Sequence, residues 1–275
     1  MLLAALIFHV TGLLDFDKPM PDQTRVHLPL FYPTYRNGRS LEAPVRDAIF
    51  LAFTSEWDLR GWPESSLHRL CDAGRIRTWG DGQLICALGS SCGDVHVVLS
   101  GAIELSCIGK LGERAIEAYI GPNEVCNLVP ALDGHSSMHD QTARGATTLF
   151  HIPGAAVIEE FSREPKLMRL LLDLMCARVR ILHSRIARRS VSGLRSRLAG
   201  HLLELARSHG RTTADGIEIT VRMSQEALAS LLGTSRQSTN KELRRFARDR
   251  IVDTRYSHLT ILDIDGLRAI SLSDE

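Results

Sequence analysis

Hydrophobic and polar positions change their period along the 275-residue chain. In residues 75–152, short apolar runs alternate with breaks that contain glycine, which predicts several short strands of a small barrel or roll. In residues 165–189, apolar residues recur every three or four positions, so a long amphipathic helix is expected. The strand candidates in the first region are residues 85–88, 96–99, 102–105, 115–120 and 148–152.

Two short helices separated by a tight turn are predicted within residues 223–243. Ser224 is a favourable N-cap for the first helix. Gly233 can adopt the left-handed backbone conformation that ends a helix, and Ser235 is expected to cap the next one. This pattern is typical of a helix-turn-helix.

The second of these helices has two chemically different faces. Thr239, Leu243 and Phe246 recur at helical spacing and form the expected buried stripe. The opposite face carries long polar and cationic groups, which suits a recognition helix in the major groove of DNA. A helical hairpin whose polar face is merely solvated is the alternative. The residues predicted to contact DNA are Ser235, Arg236, Gln237, Ser238, Asn240, Lys241 and Arg244.

The segments on either side of the predicted helix-turn-helix also favour contact with a nucleic acid. Residues 217–221 alternate as a strand does, and residues 251–252 and 258–262 predict a β-hairpin that would form the wing of a winged helix. Residues 178–255 hold seventeen Lys or Arg and seven Asp or Glu, a net charge of +10, whereas the whole chain carries only +1. A basic C-terminal part on a nearly neutral chain favours double-stranded DNA as the partner.

The long helix is predicted to mediate dimerisation. It extends over some 25 residues, or roughly 37 Å, which is more than a single roll can cover. Pairing with the same helix of a second subunit would cover its apolar stripe, as in a coiled coil. A helix lying across its own domain is the alternative. The residues assigned to the dimer helix are Leu167, Leu171, Leu174 and Leu182.

The cysteines and histidines do not predict a metal site. The cysteines lack a C-x-x-C pair and are expected to be reduced and mostly buried. His135 and His139 are four residues apart, but they lie in a loop-like segment. The six cysteines are Cys71, Cys86, Cys92, Cys107, Cys126 and Cys176.

An enzyme is not expected. Residues 89–93 (GSSCG) match G-x-S-x-G, but a nucleophile elbow needs a helix after it, and a strand is predicted there. A module that uses its winged helix to bind protein remains an alternative function. No run of about 20 apolar residues is present, so we expect no membrane partner and a cytoplasmic location. Residues 1–14 are apolar but lack the basic start of a signal peptide.

Several motifs occur in an order that resembles the Crp/Fnr family of bacterial transcription regulators. The last of them is close to the family signature Gly-x-Ser-Arg-(Glu/Gln)-(Thr/Ser), and the resemblance covers roughly residues 57–272. The motifs are residues 80–82 (GDG), 97–101 (VVLSG), 121–125 (GPNEV), 132–134 (LDG) and 233–241 (GTSRQSTNK).

The resemblance implies an α+β fold and a homodimer that binds a two-fold symmetric DNA site. The fold would be an antiparallel, cyclic-nucleotide-binding-like β-roll, a long dimerisation helix and a C-terminal winged helix-turn-helix. Arg236, Gln237 and Lys241 fall at the family's base-reading positions, and RNA polymerase is a further candidate partner. The expected segments are a poorly ordered extension or artefactual start (1–55), the roll (56–160), the dimerisation helix (161–190) and the winged helix (191–275).

The resemblance also predicts that cyclic AMP is not the effector. Family members that bind it carry Gly-Glu and Arg-Ser in the pocket, where this chain has Asn127-Leu128 and Ser137-Met138. Leucine cannot accept a hydrogen bond, and no cation replaces the arginine that neutralises the phosphate. The N-terminal cysteine cluster of the iron–sulfur branch is absent, and no residue indicates haem. No cofactor is predicted, and the effector is left open.

Overall fold

The computed structural model describes Ile49 and residues 63–109, 114–221, 223–254 and 259–273. The expected N-terminal extension therefore lies outside the described residues, apart from Ile49. The helices described are α1 (Glu64–Ala73), α2 (Leu128–Asp133), α3 (Gly154–Arg163), α4 (Pro165–Val191), α5 (Leu194–His209), α6 (Gln225–Leu232), α7 (Arg236–Arg248) and α8 (Ile264–Leu272). The strands described are β1 (Arg75–Trp79), β2 (Leu84–Cys86), β3 (Asp94–Ile108), β4 (Arg114–Ile120), β5 (Val125–Cys126), β6 (Asp140–Pro153), β7 (Gly210–Thr213), β8 (Gly216–Ile219), β9 (Val252–Asp253) and β10 (Leu259–Ile261).

The first unit is the predicted antiparallel roll. Its strands follow the order β1-β6-β3-β4, with β2 paired to β6 and β5 paired to β3. Its apolar core lies between the sheet and helices α1, α2, α3 and the start of α4, and Val97, Phe150 and Ile152 at its centre are fully buried. The α+β fold class is therefore confirmed.

Strands β3 and β6 are longer than the sequence pattern predicts. The candidates at 96–99 and 102–105 are parts of one strand, whose register shifts on both sides of Ser100. Gly101 has a positive φ of 76°, and a Cβ there would lie 2.5 Å from the carbonyl oxygen of Ala146. The glycine thus permits an irregular, close approach of two strands rather than ending one of them.

Helix α4 packs some of its apolar residues on its own roll and leaves others exposed. Leu167 is fully buried in the core of its own roll, and Leu171 and Leu174 are partly buried against that core. Leu167 was expected to face a second subunit, which is wrong because it is buried in its own roll, whereas the assignment of Leu171 and Leu174 to a dimer face stays a prediction. Leu182 is 56% exposed.

A second row of residues on α4 remains open to solvent. Met168, Leu172, Val179, Leu182 and Ile186 are all large, apolar and exposed. With the half-buried Met175 they are spaced alternately by four and three residues, as in a heptad repeat.

The second unit is the predicted winged helix. Its sheet has the order β7-β8-β10-β9, and β9 and β10 form the expected antiparallel wing. The turn residues 255–258 lie outside the described part of the chain. Leu198, Leu202, Phe246 and Leu267 are fully buried in the core between α5, α7 and α8.

The roll and the winged helix contact each other through strand β4 and the residues that follow it. The amide of Ile116 donates to Ser230 Oγ on α6 at 2.7 Å. His209 Nε2 at the end of α5 donates to the carbonyl of Tyr119 at 3.3 Å. A Cβ at Gly121 would lie 2.7 Å from the carbonyl oxygen of Ser208, so the two backbones approach closely there.

One pair of cysteines is oxidised, contrary to the expectation that all six are reduced. Cys86 and Cys92 are joined by a disulfide, with Cα atoms 6.4 Å apart. Their spacing of six residues gave no signal, because it is the loop between β2 and β3 that brings them together. Cys71, Cys107, Cys126 and Cys176 are outside disulfides.

Within the part of the chain that the structure describes, none of the helices has the length and apolar character needed to cross a bilayer. Among the same residues there is no group of three or more His, Cys, Asp or Glu side chains suited to a metal ion.

Candidate nucleic-acid interface

The helix-turn-helix is built by the predicted local signals. Ser224 Oγ accepts from the amide of Ala227 at 3.0 Å and caps α6. Gly233 ends α6 with a positive φ of 59°. Ser235 Oγ accepts from the amide of Ser238 at 3.1 Å and caps α7. These caps satisfy amides that a helix start leaves without a partner, so each helix begins at a defined residue.

The buried stripe of α7 is confirmed. Thr239 and Phe246 are fully buried and Leu243 nearly so, all packed towards the core of the winged helix. With this side fixed inward, the opposite side must face solvent. The candidate DNA-contact residues there divide into the exposed Ser235, Arg236, Gln237, Lys241 and Arg244 and the half-buried Ser238 and Asn240.

The exposed face continues beyond the residues that the sequence pattern predicts. One open depression is bordered by Gln237, Asn240, Lys241, Arg244, Ala247 and Arg248. Arg248 was missed, although it lies seven residues after Lys241 and four after Arg244, spacings that place the three cations on one side of a helix.

The cations of α7 fall into two groups. Arg245 donates to Glu242 at 2.8 Å, so part of its charge is already compensated. Among the described residues, no carboxylate lies within ion-pair distance of Arg236, Lys241, Arg244 or Arg248. These four positive charges are therefore available to an anionic partner.

An arginine from α5 fixes the C-terminal half of α7. The guanidinium of Arg195 lies 4.9 Å from the ring centroid of Phe246. The same side chain donates to Asp249 at 2.8 Å, just past the end of the helix. Stacking and an ion pair at one guanidinium position α7 against the rest of the winged helix.

The positions aligned with the effector pocket lie in the roll, away from α7, and the first of them is Asn127. Asn127 Nδ2 donates to the carbonyls of Cys92 at 2.6 Å and Asp94 at 2.8 Å. Gln141 Nε2 donates to Asn127 Oδ1 at 2.8 Å, and His96 Nδ1 donates to Gln141 Oε1 at 3.0 Å. These side chains satisfy one another inside the roll.

The other three pocket positions do not form one site. Leu128 is buried in the apolar core, and Ser137 is buried with its hydroxyl donating to the carbonyl of His139. Met138 is 53% exposed and so is not part of this interior. The structure thus joins Asn127 and Ser137 through Gln141, which lies 3.4 Å from Ser137 Oγ, but not all four.

The histidines of the interior are uncharged near neutral pH. Burial lowers the pKa of His96 to about 4, against a smaller opposing effect of its hydrogen bond to Gln141. Burial also lowers the pKa of His151, and the neighbouring His96 lowers it further. Neither imidazole therefore supplies a cation that could neutralise a bound phosphate.

Two domain families match the chain in the order of its two units. Residues 76–164 match the cyclic nucleotide-binding domain, and residues 196–270 match the Crp-like helix-turn-helix domain. Together the two matches cover more than half of the chain.

Regulators are among the similar proteins. The HTH-type transcriptional regulator Cmr of Mycobacterium tuberculosis is 26% identical over 233 residues, which cover 83% of this chain and 89% of that protein. The global nitrogen regulator of Synechococcus elongatus is 24% identical over 191 residues, covering 69% and 86%. These relatives are transcription regulators rather than enzymes, which agrees with the reading of residues 89–93 as a turn and not a nucleophile elbow.

Solved structures share the fold. FixK2 from Bradyrhizobium japonicum has a TM-score of 0.64 at 16% identity, covering 74% of this chain and 99% of that one. A Crp/Fnr-family transcriptional regulator from Thermus thermophilus has a TM-score of 0.60 at 20% identity, covering 73% and 100%. At these identities the likeness concerns the fold alone.

Proposed function

Because the chain belongs to the Crp/Fnr family of transcription regulators, we propose that it binds a two-fold symmetric site on double-stranded DNA as a homodimer. The observation that carries this proposal is the exposed face of α7, with four cations that no described carboxylate compensates. In this proposal residues 56–160 sense a signal, residues 161–190 join two subunits and residues 191–275 bind DNA.

The N-terminal part of α7 would read bases. Arg236 can donate two parallel hydrogen bonds to O6 and N7 of guanine, and Gln237 can pair in the same way with adenine. Lys241, one turn further along, reaches the same groove. All three side chains are exposed, so nothing in their own domain has to move before they enter the major groove.

The rest of the face would position the protein on the phosphates. Arg244 and Arg248 extend the cationic row, and contacts of this kind carry no sequence information. Asn240 lies between the proposed base-reading residues and the proposed phosphate contacts. Ser238 can offer its hydroxyl, whereas Ser235 already caps the helix and donates to Ser238 Oγ at 2.9 Å, so its contribution is to fix the start of α7.

Replacing Arg236 with alanine tests base reading. We expect Arg236→Ala to weaken binding to the preferred site by on the order of 1–3 kcal/mol and to relax the preference at one base pair. Electrophoretic mobility shifts on a set of single-base variants of the site measure both effects. Arg77→Ala, which removes an exposed arginine charge from β1, is the matched control and should bind normally. Equal weakening on every sequence would make Arg236 a phosphate contact instead.

The homodimer is proposed on the exposed heptad row of α4. Leu172, Val179, Leu182 and Ile186 would pair with the same residues of a second subunit and leave water. The first half of α4 is held on its own roll by Leu167, which would keep the exposed row in a fixed direction.

A charge within that row should separate the subunits. Leu182→Glu would bury a carboxylate in an apolar seam, so we expect light scattering to report a monomer of 30.5 kDa in place of a dimer of twice that mass. Ala177→Glu lies on the opposite side of the same helix and should stay dimeric. A dimeric Leu182→Glu protein would place the subunit interface elsewhere.

We also propose that the roll does not respond to cyclic AMP. This is supported by Leu128 in the apolar core, by the internal pairing of Asn127 with Gln141, and by two uncharged histidines. Asn127, Gln141 and the two uncharged histidines offer a cyclic phosphate no cation, and an uncompensated phosphate is costly away from water.

Thermal unfolding with millimolar cyclic AMP tests this proposal. A ligand at a hundred times its dissociation constant adds about 2.7 kcal/mol to stability, so even a modest binder would raise the melting temperature by several degrees. We expect no rise, and none with 5′-AMP, which controls for ionic strength. A higher melting temperature with cyclic AMP but not with 5′-AMP would show that the roll binds the cyclic nucleotide.

The proposed location and further partner follow from the binding of DNA. A regulator of this kind would act in the cytoplasm, where bacterial DNA lies, and RNA polymerase is the further partner that we propose. The alternative, in which the winged helix binds protein, lacks a specific observation in its favour, because the outward face of α7 is cationic rather than apolar.

A further inference from the structure

The disulfide closes a short loop at the edge of the roll. Cys86 ends β2, Cys92 lies just before β3, and residues 87–91 form the loop between them. Cys86 is buried, whereas Cys92 is partly exposed. Ser90 Oγ lies 3.5 Å from each sulfur. The pair is therefore reachable from solvent through Cys92.

This loop is paired with the segment that leads into β6. The amide of Gly89 donates to the carbonyl of Ser137 at 2.8 Å, and the amide of Ser137 donates back to the carbonyl of Ser90 at 2.9 Å. The amide of Leu88 donates to the carboxylate of Asp140 at 2.8 Å. A change in the conformation of this loop would therefore alter its hydrogen bonds to residues 137–140.

The same segment leads on to the DNA-binding unit. His139 Nε2 donates to the carboxylate of Glu117 on β4 at 2.8 Å. The neighbouring Ile116 donates its amide to Ser230 on α6, the first helix of the helix-turn-helix. Two hydrogen bonds, made by the adjacent residues Glu117 and Ile116 of β4, thus join the segment beside the disulfide loop to the contact between the two units.

We propose that Cys86 and Cys92 are a reversible redox pair whose oxidation state sets how firmly the winged helix is held on strand β4, and through it the affinity for DNA. This inference rests on the proposed DNA binding. The coreactant is a low-molecular-weight disulfide, and the corresponding thiol reverses the reaction.

The chemistry is two successive thiol–disulfide exchanges. The thiolate of Cys92, the more exposed of the two, attacks a sulfur of R–S–S–R, forms a Cys92–S–S–R bond and releases one R–S⁻. The thiolate of Cys86 then attacks Cys92 Sγ, forms the internal disulfide and releases the second R–S⁻. The two protons lost by the cysteines are taken up by the released thiolates, so one R–S–S–R is reduced to two R–SH.

Oxidation of Cys86 and Cys92 should raise the affinity for DNA. The disulfide restricts residues 87–91 and so keeps their hydrogen bonds to residues 137–140 in place. Reduction removes that restriction, which loosens His139 against Glu117 and with it the contact of β4 with Ser230. A winged helix held less firmly loses more freedom when it binds DNA, so its affinity falls.

The test uses the full chain in two preparations, oxidised with glutathione disulfide and reduced with dithiothreitol. Alkylation under denaturing conditions followed by mass spectrometry should count four thiols in the oxidised protein and six in the reduced one. The oxidised protein should bind its DNA site about fivefold more tightly, or more. The variant Cys86→Ser/Cys92→Ser should show no difference between the preparations. Cys176→Ser, which removes an exposed cysteine of α4, should keep the full response.

A second readout separates this inference from the proposed function. Reduction should speed amide hydrogen exchange in residues 87–92, 137–140 and 114–117, whether or not the protein binds DNA. Failure of both preparations to bind DNA, with this change present, would refute the DNA proposal alone. Six thiols in both preparations, equal or weaker binding by the oxidised protein, or an exchange change confined to 87–92 would overturn the redox switch. Should the double variant not fold, Cys92→Ser alone serves the same purpose.

Discussion

The burial of one side of α7 is the constraint on which the rest of the account depends. Phe246 is fully buried and is covered by the guanidinium of Arg195, while Thr239 and Leu243 occupy the same side. A helix that is fixed along one side has no freedom to rotate about its axis. Arg236, Gln237 and Lys241 are therefore held exposed to solvent by this packing.

The two units use their polar side chains in opposite ways. In the winged helix, four cations of α7 stay exposed with no described carboxylate beside them, which suits a partner with many negative charges. Inside the roll, Asn127, Gln141 and His96 satisfy one another, and burial keeps the histidine neutral. The roll has the architecture of a cyclic nucleotide-binding domain, while these three interior side chains pair with one another and carry no charge.

The features that the sequence predicted are those with local causes. The caps of α6 and α7, the glycine between them and the two faces of α7 depend on residues within one or two turns, and the structure confirms them. The net positive charge of residues 178–255 is likewise read from the sequence alone. In the structure, part of this charge lies on the exposed face of α7.

The features that the sequence did not predict depend on distant neighbours. Nothing near Leu167 indicates that it packs on its own roll while Leu182 remains exposed, because only the fold decides which ridge of α4 meets the roll. The expected break between residues 99 and 102 does not end a strand, because Gly101 permits two strands to approach closely. The Cys86–Cys92 pair was missed because its geometry is set by a loop, and Arg248 because the expected contact face was ended at Arg244.

The most direct test of the central claim is selection of bound sequences from random duplex DNA by the purified protein. The exposed face of α7 predicts enrichment of a two-fold symmetric site, with half-sites about one helical turn (~34 Å) apart and a guanine in each half that becomes variable when Arg236 is replaced. Recovery of unenriched sequences, or of a motif that Arg236→Ala, Gln237→Ala and Lys241→Ala all leave unchanged, would contradict it.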